Sequence, residues 1–216
     1  MKIRGIFAFN GNVADQSEVS KIISDMKLNY CVETGTLHGW TTAFFAERMK
    51  KVYSIEKIDE TLEKARYHLD GYDNVELILG DSTYHLPRPL KEIPLDEKVL
   101  FYLDAHWHEH WPLFDELDII GKYIGSRAVI IIDDFKVPNN GYVFDTYKGI
   151  ENSFENIEPY LKNIYAKYDY RYLEGPLSFQ LTYPQYHVNE TEYKIYLDWF
   201  KDKINFTTGK ILIYER

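Results

Sequence analysis

The sequence predicts one doubly wound α/β domain built on a mainly parallel sheet with an antiparallel closing strand. Short apolar runs alternate with amphipathic segments, which is the pattern of repeated strand–helix–strand units. The run Ala128–Ile132 is apolar throughout, as expected for a central strand that is buried on both faces. The chain has 216 residues and no internal repeat or Gly/Ser linker, so residues 1–216 are predicted to form a single domain.

The predicted elements follow this alternation in order. Short apolar runs predict parallel strands at 30–33, 51–55, 75–79, 99–103 and 128–132. Apolar residues three and four apart predict helices at 15–27, 39–49, 59–69 (with Asp59 as N-cap), after Pro112, and at 145–166. Two closing strands are predicted at 171–182 and 210–214, and an insertion at 185–206 is predicted to cover the substrate.

The composition narrows the choice of partners and compartment. The formal net charge is -9, which argues against a nucleic-acid partner and leaves room for a cation. Cys31 is the single cysteine and lies in an apolar stretch, so we expect a buried thiol in a reducing, cytoplasmic compartment. The apolar run at the N-terminus is too short for a signal peptide or a membrane span. No membrane partner is expected, and a homodimer is compatible with the sequence.

Acidic residues recur where the predicted strands end. In an open α/β sheet, ligands bind at the edge formed by the carboxyl ends of the strands. Five successive predicted strands therefore deliver carboxylates to one rim, and these are Glu33, Glu56, Asp81, Asp104, Asp133 and Asp134.

A glycine-containing turn follows the first predicted strand. It reads Glu33-Thr-Gly35-Thr36-Leu-His-Gly39-Trp-Thr41, and its two glycines allow close approach of a ligand to the backbone. The Gly-x-x-x-Gly spacing differs from the Gly-x-Gly-x-x-Gly fingerprint of dinucleotide-binding domains. By itself the motif also fits a tight turn that simply needs two glycines.

The next two strand ends extend this turn into a nucleoside pocket. Glu56 is suited to accept hydrogen bonds from both hydroxyls of a ribose, although an isolated acid there also fits a solvated loop. Asp81 and Ser82 offer acceptors to an adenine amino group.

Three aspartates and a histidine-rich segment follow the fourth and fifth strands. Asp104, Asp133 and Asp134 end adjacent strands, where clustered carboxylates need a cation, and three oxygen donors suit Mg²⁺. The alternative is that one aspartate caps a turn and another is merely polar. His106, His108 and His110 lie at the same rim, where one histidine is expected to act as a base, and a transition metal is the alternative.

The segment from Tyr30 to Phe135 resembles the class I S-adenosylmethionine-dependent methyltransferases, most of all the metal-dependent O-methyltransferases of the catechol and macrocin types. That resemblance implies a Rossmann-like fold. It also implies that the Glu33–Thr41 turn, with Gly35, Thr36 and Gly39, wraps the methionine part of S-adenosylmethionine. In the same way it assigns Glu56 to the ribose, Asp81 and Ser82 to the adenine, and Asp104, Asp133 and Asp134 to the metal. Asp104 and His106 are expected to border the cofactor as well.

The resemblance has two informative departures. The catechol enzymes place a lysine base shortly after the first metal-binding aspartate, where this chain has Trp107 and His108. The insertion at 185–206 implies a different substrate cover, which favours a sugar or polyol over a catechol.

The function expected from these motifs is methyl transfer to a hydroxyl of a small-molecule acceptor. Mg²⁺ would lower the pKa of that hydroxyl, with Asp104, His106 and His108 as the catalytic candidates. Three alternatives stay open: a metal-independent N- or O-methyltransferase, an NAD-binding oxidoreductase, and a non-catalytic S-adenosylmethionine-binding protein. The glycine spacing counts against the second, and the third leaves the acid cluster without a role.

Overall fold

The computed structural model describes residues 5–106, 110–173 and 208–216. Its strands are β1 (Tyr30–Thr34), β2 (Lys51–Glu56), β3 (Val75–Leu79), β4 (Val99–Leu103), β5 (Ala128–Ile132), β6 (Thr146–Tyr147), β7 (Ile150–Glu151), β8 (Tyr168–Leu173) and β9 (Lys210–Glu215). Its α-helices are α1 (Val13–Asp25), α2 (Trp40–Ala46), α3 (Asp59–His68), α4 (Ser82–His85), α5 (Pro87–Glu92), α6 (Leu113–Tyr123) and α7 (Phe154–Ile164). Three short 3₁₀ turns are Gly5–Phe7, Phe9–Gly11 and Gly125–Arg127.

Seven strands form one sheet in the order β3-β2-β1-β4-β5-β9-β8. Strands β1 to β5 are parallel, and β9 runs antiparallel to both β5 and β8. The predicted α/β class, with its antiparallel closing strand, is therefore confirmed. Because the chain moves outwards from β1 to β3 and then returns to β4 on the other side, the order reverses between β1 and β4. Open α/β sheets bind ligands at such a reversal.

The sheet has a hydrophobic core on each face because its central strands are buried on both sides. In β4, Phe101 and Leu103 pack towards α5, α6 and α7, whereas Leu100 and Tyr102 face the layer of α1 and α2. Strand β5 is buried at all five positions, as its apolar sequence predicts. Cys31 is buried in the core on the α1 side, as expected for a thiol in an apolar strand.

The predicted helix over 145–166 is wrong in its first part. Residues 146–151 form a hairpin instead, in which β6 and β7 pair and Lys148 and Gly149 turn with φ of 50° and 83°. A glycine in this position favours the left-handed turn that a hairpin requires. Helix α7 begins at Phe154, after the turn that this hairpin creates.

Smaller differences concern element ends. Asp59 is the first residue of α3, and Ile58 holds the N-cap position. The short helices α4 and α5 were not predicted, since neither is long enough to show a helical period. Strand β8 begins at Tyr168, three residues before the predicted 171, and the rest of the predicted strand, 174–182, lies outside the described residues together with the insertion 185–206. No helix in the described ranges is long and apolar enough to cross a membrane.

Candidate functional site

The site lies at the carboxyl edge of the sheet, around the reversal between β1 and β4. The register pairs Thr34 with Leu103 and Leu103 with Ile132, so the residues that follow these three strands meet at one level. The Asp104 N–H donates to the Thr34 carbonyl at 3.0 Å. A cavity of about 170 Å³ opens beside them, and its lining includes Gly35, Glu56, Ile58, Ser82, Asp104 and His106.

The glycine turn needs its glycines for two physical reasons. Gly35 and Gly39 have φ of +86° and +76°, in the left-handed region that side chains disfavour. A Cβ on Gly35 would also lie 2.6 Å from the Asp104 carbonyl oxygen, and one on Gly39 would lie 2.8 Å from Leu69 Cδ1. At Gly35 the close approach to the Asp104 backbone leaves no room for a side chain, whereas at Gly39 the left-handed backbone is the stronger constraint, because Leu69 is flexible.

The side chain of Glu33 stabilises this turn through buried hydrogen bonds. Its carboxylate accepts hydrogen bonds from the Thr42 hydroxyl and, at 2.5 Å, from the Ser54 hydroxyl, while Oε1 is buried with no hydrogen-bond partner. Burial raises the pKa of Glu33 to about 7. Thr36 is held by the same Ser54, at 2.6 Å between the two hydroxyl oxygens.

Both predicted threonines of the turn border a second cavity of about 40 Å³. Thr36 and Thr41 line it together with Tyr102 and Asp104, and the aromatic rings of Phe7 and Phe9 close its other side. The Thr41 hydroxyl oxygen accepts a hydrogen bond from the Phe9 N–H at 3.4 Å.

Glu56 ties the end of β2 to the glycine turn. Its Oε2 accepts from the Leu37 N–H at 3.0 Å, and its Oε1 accepts from the Ile58 N–H at 2.9 Å. Each carboxylate oxygen has a second lone pair, and Glu56 borders the larger cavity, so it retains the capacity to accept from a ligand hydroxyl.

Asp81 and Ser82 separate in the structure. Asp81 caps α4 by accepting from the Thr83 N–H at 3.0 Å, and it pairs with Lys57 at 3.0 Å. Burial favours a higher pKa for Asp81, but the hydrogen bonds from Thr83 and Lys57 outweigh it and lower that pKa. Ser82, rather than Asp81, borders the larger cavity.

The structure brings together some of the residues that were predicted to bind the metal or to take part in the chemistry. Asp104, His106 and Asp134 each offer one ligand atom, and these three atoms lie within 4.8 Å of one another. Burial and the charges of Asp133 and Asp134 raise the pKa of Asp104 well above its usual range. Burial, with Asp133 and Asp145, raises the pKa of Asp134 to about 7. His108 lies outside the described residues.

Asp133 points into a separate buried network. Its Oδ1 accepts from Lys210 Nζ and from the Thr208 hydroxyl, both at 2.9 Å, and its Oδ2 accepts from the Tyr102 hydroxyl. Burial opposes ionisation of Asp133, but Lys210 outweighs it and lowers the pKa of that carboxyl. The structure therefore pairs Asp133 with a protein cation, although Asp133 also borders the two smaller cavities beside Asp104.

Three residues of the site were missed from the sequence. Lys210 also pairs with Asp15 at 3.2 Å, and it begins an apolar strand far along the chain, so only the fold brings it to Asp133. Asp145 and Asn152 flank the hairpin that was mistaken for a helix. Asn152 Nδ2 donates to the carbonyls of Asp133 and Asp134 at 2.9 and 3.0 Å.

Comparisons with curated proteins find partial matches among methyltransferases. No family model matches the chain. The chain is 37% identical over 108 residues to a protein-L-isoaspartate O-methyltransferase of Dictyoglomus turgidum, a match that covers 41% of this chain and 48% of that protein. It is 46% identical over 103 residues to the protein of the same name from Syntrophus aciditrophicus, covering 45% of each. The chain thus spans about half the length of the curated relatives it matches.

Comparisons with solved structures cover nearly the whole chain. An O-methyltransferase from Bacillus cereus in complex with SAH matches 92% of this chain and 79% of its own, at a TM-score of 0.57 and 14% identity. The O-methyltransferase TomG from Streptomyces achromogenes, in complex with SAM, matches 93% and 78%, at 0.57 and 12% identity. The chain has the Rossmann-like fold of the class I methyltransferases. The shared fold does not distinguish the catechol and macrocin types from other class I methyltransferases.

Proposed function

We propose that the chain is an S-adenosylmethionine-dependent methyltransferase that methylates a hydroxyl oxygen of a small acceptor such as a sugar, polyol or phenol. The proposal rests on one observation, which is that the glycine turn, Glu56 and Asp104 all border the same cavity. The partial matches to O-methyltransferases and the shared fold support the same activity.

The residues around the larger cavity fit the proposed cofactor. Because Gly35 has no Cβ, the backbone of the turn is open to close approach. Glu56 is suited to the ribose hydroxyls, and Ser82 to the polar edge of the adenine, with Ile55 and Ile58 as apolar walls. Thr36 and Thr41 line the second cavity and are proposed for the methionine part, whereas Glu33 is fully buried and supports the turn from within the fold. When bound, S-adenosylmethionine supplies a methyl group on a positively charged sulfur.

The chain's own contribution to transfer is positioning and proton removal. Asp104 borders three adjoining cavities, so a cofactor in one and an acceptor in another meet at its side chain. The sequence names two histidines as bases: His106 borders the larger cavity beside Asp104, and His108 lies outside the described residues. A divalent cation, predicted from the sequence as Mg²⁺, is proposed to lower the pKa of the acceptor hydroxyl when bound.

The relatives' names support a second candidate acceptor. They are called protein-L-isoaspartate O-methyltransferases, so a carboxyl group on a damaged protein is the rival to a small hydroxylated molecule. Transfer of labelled methyl to an isoaspartyl peptide, compared with transfer to a panel of sugars, polyols and catechols, separates the two acceptors.

Calorimetric titration with S-adenosylhomocysteine tests the cofactor assignment. We expect binding to wild type, at least tenfold weaker binding to Glu56→Gln, and unchanged binding to the control Glu60→Gln, whose side chain is exposed on α3 and forms an ion pair with Lys64. NAD serves as the second ligand. No heat of binding with S-adenosylhomocysteine, or tighter binding of NAD, would overturn the proposal.

A further inference from the structure

A small cavity lies beyond Asp104, between the ends of β4 and β5 and the two residues, Asp145 and Asn152, that flank the hairpin of β6 and β7. Its volume is about 10 Å³, which is room for a single water molecule or ion. The polar residues at its wall are mostly acceptors or metal ligands, and they include Asp104, His106, Asp133, Asp134, Asp145 and Asn152.

Asn152 lines this cavity and has an amide oxygen with no protein donor to match it. The two hydrogen bonds from Nδ2 to the carbonyls of Asp133 and Asp134 fix the orientation of the amide, because only the nitrogen can donate to two carbonyls. Asn152 is only 2% exposed, and its Oδ1 is buried without a hydrogen-bond partner. A buried, unpaired carbonyl oxygen is destabilising unless something binds it.

Two features of the ligand set favour a metal other than Mg²⁺. Asp133, which the Mg²⁺ hypothesis requires, is occupied by Lys210, Thr208 and Tyr102. In its place the group within 4.8 Å includes the imidazole of His106. Nitrogen ligands favour first-row transition metals, whereas Mg²⁺ selects oxygen ligands.

We propose that this cavity binds one divalent first-row transition metal through Asp104, His106, Asp134 and the Asn152 carbonyl oxygen, with Mn²⁺ as the probe ion. Two ligands at about 2.2 Å from one ion lie about 3.1 Å apart at a right angle and about 4.4 Å apart on opposite sides, so ligand atoms within 4.8 Å of one another need only small shifts to share an ion. The role of the metal in activating an acceptor rests on the proposed function, but the donor set does not.

Ligation of His106 has a consequence for the chemistry. A histidine whose nitrogen holds a metal has no free lone pair there for a proton, so His106 leaves the set of candidate bases.

The first test compares two histidines of the same rim. Binding of Mn²⁺, followed by electron paramagnetic resonance, is measured with and without competing Mg²⁺ for wild type, His106→Ala and the control His110→Ala. His106 has a side chain that is 52% exposed, so its removal leaves the core intact. We expect one Mn²⁺ per chain, at least tenfold tighter than Mg²⁺ in wild type and His110→Ala. His106→Ala should lose at least tenfold in Mn²⁺ affinity and little in Mg²⁺ affinity. Equal affinity for both ions in wild type, or unchanged Mn²⁺ binding in His106→Ala, would overturn the assignment.

The second test separates ligation by Asn152 from bracing of the backbone. Asn152→Asp keeps an oxygen towards the cavity but loses the donors to the two carbonyls, whereas Asn152→Ala loses both. We expect Mn²⁺ binding to Asn152→Asp to equal or exceed that of wild type, and binding to Asn152→Ala to fall at least fivefold. The control Asn156→Ala removes an amide that bonds the Glu151 carbonyl and should not change Mn²⁺ binding. An equal loss in both Asn152 variants would show that this residue only braces the strand end.

A parallel titration with S-adenosylhomocysteine keeps the two proposals distinct. Binding of the nucleoside without a metal site would sustain the methyltransferase and remove the metal assignment. Mn²⁺ binding without nucleoside binding would do the reverse.

Discussion

The site has two halves, one around β2 and β3 and one around β4 and β5, and their carboxylates have different partners. Around β2 and β3, Glu56 accepts from two backbone N–H groups, and Asp81 accepts from Thr83 and pairs with Lys57. Around β4 and β5, Asp104 and Asp134 face each other and His106, and burial raises the pKa of both carboxyls. In the first half each carboxylate already has protein partners, so this half is suited to a ligand with hydroxyl donors rather than to a cation. The second has surplus negative charge and is suited to a cation.

Asp133 belongs to neither half, because Lys210 neutralises it inside the fold. Burial lowers the pKa of Lys210, but Asp133 and Asp15 outweigh burial and raise it, so the buried pair is ionised. One sequence pattern, an acid after a strand, therefore has three physical outcomes. The neighbours supplied by the tertiary fold decide which one applies.

The largest expected effect comes from removing this internal cation. Lys210→Met leaves Asp133 and Asp15 buried without their partner, so the free energy of unfolding should fall by about 3–5 kcal/mol. Urea unfolding followed by circular dichroism measures the change. The control Lys162→Met removes an exposed partner of Glu158 and should cost less than about 1 kcal/mol. A loss in Lys210→Met as small as in the control would contradict the role assigned to the buried pair.

Glu33 should make stability depend on pH. Burial raises its pKa from 4.5 to about 7, so the folded state binds its proton more tightly than the unfolded state. This contribution is fully present below pH 4.5 and is lost as the pH rises through 7. Glu33→Gln should therefore reduce the fall of unfolding free energy between pH 5 and 7 by up to about 1.4 kcal/mol per pH unit. Urea titrations across this range, with the exposed Glu63→Gln as control, measure the slope, and an unchanged slope would refute the shift.

Asp134→Asn tests the surplus charge of the second half directly. In chelator at pH 8, the variant should be more stable than wild type by about 1–2 kcal/mol, because an ionised Asp134 is buried beside Asp133 and Asp145. Asparagine also tolerates the left-handed backbone at this position, where φ is 50°. Added Mn²⁺ should raise the melting temperature of wild type and leave the variant unchanged. A variant that is less stable in chelator would show that the charge is already compensated.

The smallest effect is expected at the exposed ion pair of the first half. Lys57 is 41% exposed at its side chain, so Lys57→Met should change the free energy of unfolding by less than about 0.5 kcal/mol. A cost above about 1 kcal/mol in chemical denaturation would mean that this pair does more than complete the cap of α4.

The sequence predicted those parts of the fold that depend on local pattern. The five parallel strands are where their apolar runs placed them. The signature is clearest in β4 and β5, because a strand that is buried on both faces has a continuously apolar sequence. The hairpin at 146–151 was missed because its sequence, which includes Tyr147 and Lys148, does not alternate strictly between polar and apolar residues. It was therefore predicted as the first part of the helix that the structure shows as α7. Long-range partners leave no local pattern. The pairing of Lys210 with Asp133, 77 positions away in numbering, is therefore invisible before the sheet order is known.

Thermal unfolding with S-adenosylhomocysteine tests the central claim most directly. At a hundred times its dissociation constant, the nucleoside should stabilise wild type and Asp134→Asn equally, by about 2.7 kcal/mol. Mn²⁺ should add further stability to wild type alone. A nucleoside effect that disappears in Asp134→Asn would contradict the division into two halves, and no effect in either protein would contradict the methyltransferase assignment itself.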